Sequence, residues 1–241
     1  MKLHIARDIA EWARIAADTV METVAGKPRP VFILPTGSTP LPLYAELVRR
    51  HAAGVSFAHV TTFNLDEYIG LPAGHPEGYR AFMKKNLFDH IDIPEGQWHI
   101  PDGLAADPDG AAARYDAALE AAGGADLAVL GVGHNGHIGF NEPGTPANSR
   151  THVAELSEKT RRANARFFSS IDEVPSRALT LGLGNILSAR RILLMARGAD
   201  KADIIREVLR GPVTTLVPGS LLKQHADVTV VLDEAAAAGI Q

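Results

Sequence analysis

The 241-residue chain contains no cysteine, which excludes disulfides and thiolate metal sites and leaves no mark of a redox compartment. It also lacks any uninterrupted apolar run near the roughly 18 residues that a membrane-spanning helix needs. Arg7, Asp8, Glu11 and Arg14 punctuate the first turns, so no signal-peptide core is expected there. Positive charge is not in excess: the formal net charge of -4 argues against the clustered basic footprint of a nucleic-acid binder. The expected location is the cytoplasm. What remains, 46% hydrophobic and 22% charged residues, is ordinary for a globular chain long enough for one large α/β domain.

Periodicity fills in that class. Ile9, Trp12, Ile15, Ala16, Thr19, Val20 and Val24 recur at helical spacing and predict a first helix ending near Gly26. Val31 to Leu34 reads as the first buried strand. A helix is expected after it, with Thr39 as N-cap and Pro40 at the first helical position. Val60 to Phe63 predicts the next strand, Tyr79 to Phe88 a helix, and Pro108 to Ala122 another. Strands are expected at Leu127–Leu130, Ala178–Leu181, Ile192–Ala196 and Val228–Leu232, with a helix over Lys201 to Leu209. Alternating strands and helices imply a single-domain, Rossmann-like open α/β sheet, mostly parallel, with helices on both faces. No repeat or linker divides it.

The densest chemistry follows the apolar run Leu127-Ala128-Val129-Leu130, in Gly131-Val132-Gly133-His134-Asn135-Gly136-His137-Ile138-Gly139-Phe140-Asn141-Glu142-Pro143-Gly144. Polar groups at the carboxyl end of a parallel strand sit where open α/β sheets bind ligands. Gly131-x-Gly133-x-x-Gly136 matches the bare dinucleotide pattern, which requires the last glycine to open a helix. Here further glycines and Pro143 follow, so the nucleotide reading falls. His134 and His137 admit metal ligation, but Gly136 separates them and only Glu142 stands nearby as a third ligand. The plainer alternative is one catalytic histidine, His137, with a solvent-facing neighbour.

Three other segments carry polar groups whose role the residues alone leave open. Thr36-Gly37-Ser38-Thr39 joins a strand to a helix, and is either an anion site or a simple capped turn. Asp66 and Glu67 end a buried strand, where one can serve as a general base or both can cap the next turn. Adjacent strand residues alternate in direction, so only one of the two is expected in the cleft. Arg162 and Arg166 share a helical face, and Lys201 lies in a helix's first turn, where a bound anion would relieve its conflict with the dipole.

Taken together, these segments resemble the glucosamine-6-phosphate deaminase family, which is related to the 6-phosphogluconolactonases. The resemblance rests on Leu34-Pro35-Thr36-Gly37-Ser38-Thr39-Pro40, Thr62-Phe63-Asn64-Leu65-Asp66-Glu67-Tyr68 and Gly133-His134-Asn135-Gly136-His137-Ile138-Gly139-Phe140-Asn141-Glu142-Pro143. It extends to His75-Pro76-Glu77, Ala163-Asn164-Ala165-Arg166-Phe167-Phe168 and Ala178-Leu179-Thr180-Leu181-Gly182. It implies conversion of glucosamine 6-phosphate and water to fructose 6-phosphate and ammonium. By the same resemblance Asp66 moves a proton from C2 to C1, and His137 opens the sugar ring with Glu142 orienting it. Thr36, Gly37, Ser38, Thr39, Arg166 and Lys201 would hold the phosphate. No metal or organic cofactor is implied, because the substrate's amino group is the electron sink.

Two departures matter. Many family members carry Asp where this chain has Asn135, which keeps a hydrogen-bonding side chain beside His137 but removes a charge. Regulated hexameric relatives carry a basic cluster where His152 and Ala154 stand, and a longer C-terminus. An unregulated monomer or low-order homo-oligomer is therefore expected, with residues 150–175 as a mobile lid. The alternatives left open are a lactonase-type hydrolase and a non-catalytic sugar-phosphate-sensing domain, neither of which would need Asp66, His137 and Glu142 together.

Overall fold

The computed structural model describes residues 1–165 and 168–240. In chain order the elements are β1 (Lys2–Ala6), α1 (Ile9–Gly26), β2 (Val31–Leu34), α2 (Leu41–Ala52), β3 (Thr61–Asn64), β4 (Asp66–Tyr68), α3 (Tyr79–Asn86), β5 (Trp98–His99) and α4 (Pro108–Ala121). There follow β6 (Leu127–Leu130), β7 (His152–Glu155), α5 (Glu158–Asn164), β8 (Arg177–Thr180), α6 (Leu183–Leu187), β9 (Arg191–Ala196), α7 (Ala202–Arg210), β10 (Val228–Asp233) and α8 (Glu234–Ala237).

Seven strands form one parallel sheet in the order β1-β10-β9-β6-β2-β3-β5. Its central strands are buried on both faces, so consecutive residues feed opposite cores. Val31, Ile33, Ala128, Leu130, Ile192 and Leu194 pack with α4, α6, α7 and α8. Phe32, Leu34, Leu127, Val129, Leu193 and Met195 pack with α1, α2 and α3. Each fully buried aliphatic side chain contributes about 1.5–3 kcal/mol, so the two cores fix the strand order. The chain moves outward from β2 through β3 to β5, then returns to β6 on the other side of β2. That reversal opens a crevice at the carboxyl ends of β2 and β6.

The structure departs from the sequence reading in four places. Val31–Leu34 is not the first strand: Lys2–Ala6 precedes it as an edge strand paired to β10, hidden from pattern reading because only Ala6 is buried. Residues 177–180 do not join the main sheet. They lie between β4 and β7 in a second, three-stranded antiparallel sheet. Thr39 does not cap α2, since Pro40 occupies the cap position without a side-chain bond. Ile9, expected in the core, is 48% exposed at the start of α1, whose cap is Asp8 accepting from the Glu11 amide.

The second sheet fixes the site. Only Leu65 separates β3 from β4, and it is bonded on both sides: its amide donates to Leu34 and its carbonyl accepts from Leu181. Asp66, the next residue, pairs with Thr180. The chain thus leaves the main sheet at Asp66, directly beside the crevice.

Candidate active site

A cavity of about 650 Å³ opens along the crevice. It is lined by Thr36, Gly37, Ser38 and Thr39 from the loop after β2, by Lys201 before α7, and by Asp66 and His137. Lys201 donates from Nζ to the Val132 carbonyl at 3.0 Å, so the glycine-rich loop holds the ammonium at the cavity wall. Asn135 and Glu142 stand behind His137, outside the cavity lining. Arg166 lies outside the described residues.

Asp66 and Glu67 face opposite ways, as strand alternation requires. Asp66 lines the cavity, whereas the Glu67 carboxylate accepts from the backbone amides of Tyr68, Tyr79 and Arg80 at 2.9–3.0 Å and so caps α3. Burial pushes the Asp66 carboxyl up to about 8, and the neighbouring charge of Glu67 adds to the effect. Burial also raises Glu67, but the three backbone donors oppose it.

The glycines of the loop after β6 make room for its histidine. A Cβ on Gly133 would stand 2.2 Å from His137 Cε1, so a side chain there would displace the imidazole. Gly139 adopts φ +58°, and a Cβ on it would lie 3.5 Å from Asp66 Oδ2 and 3.0 Å from Thr180 Oγ1. The pattern that resembles a nucleotide fingerprint instead lets the backbone close on a histidine and a carboxyl. Glu142 Oε1 lies 3.8 Å from His137 Nδ1, while Asn135 Nδ2 donates to Glu142 Oε2 at 2.6 Å. The Asn135 side-chain carbonyl accepts from the His137 amide at 3.2 Å. Asn135 therefore holds both the loop and the carboxylate behind the imidazole.

His134 is half exposed and donates from Nε2 to Asp200 Oδ2 at 2.7 Å, which holds Asp200 below the usual carboxylate range. Among the described residues no three His, Cys, Asp or Glu side chains converge as a metal set. No described helix is long and apolar enough to cross a membrane. Three lining groups escaped the sequence reading. Arg197 follows β9 directly, with its guanidinium carbon 5.6 Å from the Trp12 ring centroid, and its place at a strand's carboxyl end was an available signal. Thr160 and Asn164 come from α5, whose reach into the cavity no local pattern announces.

Two outcomes follow from these surroundings. Because the Asp66 pKa rises from 3.8 to about 8 on folding, the native state holds a proton that the unfolded chain releases between those values, and stability from this group falls as pH rises through that window. Asp66→Asn is expected to be more stable than the parent at about pH 9, with a gap that closes toward pH 4 in thermal unfolding scans; a gap independent of pH would contradict the assignment. Asn135→Asp sets a second carboxylate against Glu142 and favours the imidazolium of His137. The acid limb of its pH–rate profile is expected to move to higher pH, and an unmoved limb would refute the coupling.

A family model described as glucosamine-6-phosphate isomerases/6-phosphogluconolactonase matches residues 5–231. A glucosamine-6-phosphate deaminase of Bacillus velezensis is 50% identical over 240 residues, covering 99% of this chain and 100% of that protein. One from Thermoanaerobacter pseudethanolicus is 46% identical over 238 residues, covering 98% and 94%. The solved structure of a monomeric glucosamine-6-phosphate deaminase superposes with a TM-score of 0.97 at 44% identity, covering 99% of this chain and 100% of that one. A 6-phosphogluconolactonase from Trypanosoma cruzi shares the fold, with a TM-score of 0.82 at 21% identity over 100% and 97% of the two chains. The parallel sheet, the crevice and these relatives lead to one conclusion: the chain belongs to the glucosamine-6-phosphate isomerase/6-phosphogluconolactonase family.

Proposed function

We propose that this chain is a glucosamine-6-phosphate deaminase, converting glucosamine 6-phosphate and water to fructose 6-phosphate and ammonium. The observation that carries the reading is the buried Asp66 carboxyl, raised to about 8, facing the same cavity as His137. A lactonase activates water and moves no proton between carbons. A deaminase needs a base beside C2 that keeps its proton long enough to return it to C1, and a dry carboxyl with raised proton affinity suits that task. The names of the relatives above agree with it.

The division of labour follows from the chemistry of the groups that line the cavity. Ser38, Thr39, Lys201 and the amides around Gly37 hold the phosphate, with Arg166 assigned to the same duty by family resemblance. Binding there fixes the distance to the reacting carbons. His137, oriented through Glu142 and Asn135, moves a proton between the anomeric hydroxyl and the ring oxygen to open the pyranose. Asp66 then takes the C2 proton and delivers it to C1, which turns the amine-bearing carbon into an imine. Water adds at C2, and the C–N bond breaks to release ammonium. The net reaction is an isomerisation ended by a hydrolytic step, with no cofactor. The chain acts as one domain and as a cytoplasmic monomer in this reading, in keeping with the monomeric relative. Helix α5 is the part of the proposed lid that moves, because the preceding β7 is tied into the second sheet.

Ammonium release from glucosamine 6-phosphate, assayed beside hydrolysis of 6-phosphogluconolactone, tests the proposal. The expected result is ammonium release whose kcat/KM falls by about 10² or more in Asp66→Asn. Lactone hydrolysis without ammonium, or sugar-phosphate binding without turnover, would overturn it.

A further inference from the structure

Helix α5 bonds to a neighbour of each acid–base group of the site. Thr160, 6% exposed, donates its hydroxyl to Glu142 Oε1 at 2.5 Å. Four residues on, and so on the same face, Asn164 donates from Nδ2 to the Tyr68 hydroxyl at 2.9 Å, in the strand that carries Asp66. Ser157 caps the helix and donates to Thr160 Oγ1 at 2.9 Å. Ser157 Oγ also lies 3.5 Å from Glu142 Oε1, so α5 and its cap meet the loop after β6 through hydroxyl groups.

Each oxygen of Glu142 therefore has a close donor: the Asn135 amide on Oε2 and, on Oε1, the Thr160 hydroxyl, with Ser157 Oγ farther off at 3.5 Å. The oxygen that Thr160 engages is also the one nearest His137 Nδ1, at 3.8 Å. Hydrogen bonds to a carboxylate are charge-assisted and draw on its negative charge, so what Thr160 takes is withdrawn from the imidazole. We propose that Thr160 is a positioning residue that sets the proton affinity of His137 through Glu142, making the seating of α5 part of the acid–base chemistry. With α5 seated, Glu142 stands off from the ring and His137 gives up its proton more readily. With α5 withdrawn, Oε1 is free to close on Nδ1 and hold the imidazolium. The site then becomes competent for ring opening when α5 is in place, an inference that rests on the deaminase reading for its consequence but not for its geometry.

Several other charged groups line the site or stand on α5. Asp66, Arg197, Asp200 and Lys201 line the same cavity, with His134 paired to Asp200. On α5, Glu158 pairs with Arg162, and Arg161 donates to the carbonyls of Ile171 and Val174. None of these lies between Thr160 and Glu142.

The test is the titration of the His137 ring by nitrogen NMR in the full chain, for the parent, Thr160→Val and Thr160→Ser, alongside the pH profile of ammonium release. Thr160→Val keeps the volume and loses the donor. It is expected to raise the His137 midpoint by about half a pH unit or more and to carry the kinetic limb with it. Thr160→Ser restores both. Thr160→Ala serves in place of the valine variant if that one does not fold. An unmoved midpoint without the hydroxyl, or a serine variant shifted as far as the valine one, would overturn the inference. A parent that releases no ammonium would instead sink the deaminase reading, leaving the titration result to stand by itself.

Discussion

Everything at this site depends on one buried carboxyl. Asp66 is the first residue after the chain leaves the parallel sheet, and its backbone is locked by pairing with Thr180 in the second sheet. Its direction is set by its neighbour: Glu67 must point the other way, where three backbone amides of α3 and β4 hold it. The dry surroundings disfavour the charged form, and the nearby Glu67 charge disfavours it further. A carboxyl so placed gains proton affinity without any special partner. The fold bears the cost of desolvation, and two packed cores are large enough to do so.

The second constraint is topological. Reversal of the strand order beside β2 places two loops at one crevice, Pro35 to Thr39 and Gly131 to His137. The first offers hydroxyls and amides, and the second brings Lys201 against Val132 while seating the imidazole on Gly133. A cavity lined by both an ammonium and acid–base groups results. It needs no regular helix after the glycines, which is why the nucleotide pattern misleads here.

Much of this was legible in the sequence. Buried strands with continuous apolar runs, such as Val31–Leu34 and Leu127–Leu130, announce a parallel sheet, and their carboxyl ends point to the site. Asp66 and His137 were found that way and Lys201 from its place at a helix start, and the structure brings them to one cavity. The second sheet was not legible. Its strands are three or four residues long, and Asp66-Glu67-Tyr68 and His152–Glu155 are too polar to show a buried face. The edge strand Lys2–Ala6 is hidden for the same reason, since four of its five residues are exposed. The Thr160 contact with Glu142 joins residues from separate elements, and no periodicity encodes such a meeting. Thr39 misled because the helix starts one residue later than expected, with Pro40 itself in the cap position and no side-chain bond.

The most direct measurement is the ionisation of Asp66 in the free protein, followed by the carboxyl carbon signal of labelled aspartate across pH and assigned with Asp66→Asn. The account predicts a titration midpoint near 8. A midpoint near the ordinary 3.8 would mean that the carboxyl is not desolvated, and the central claim would fall.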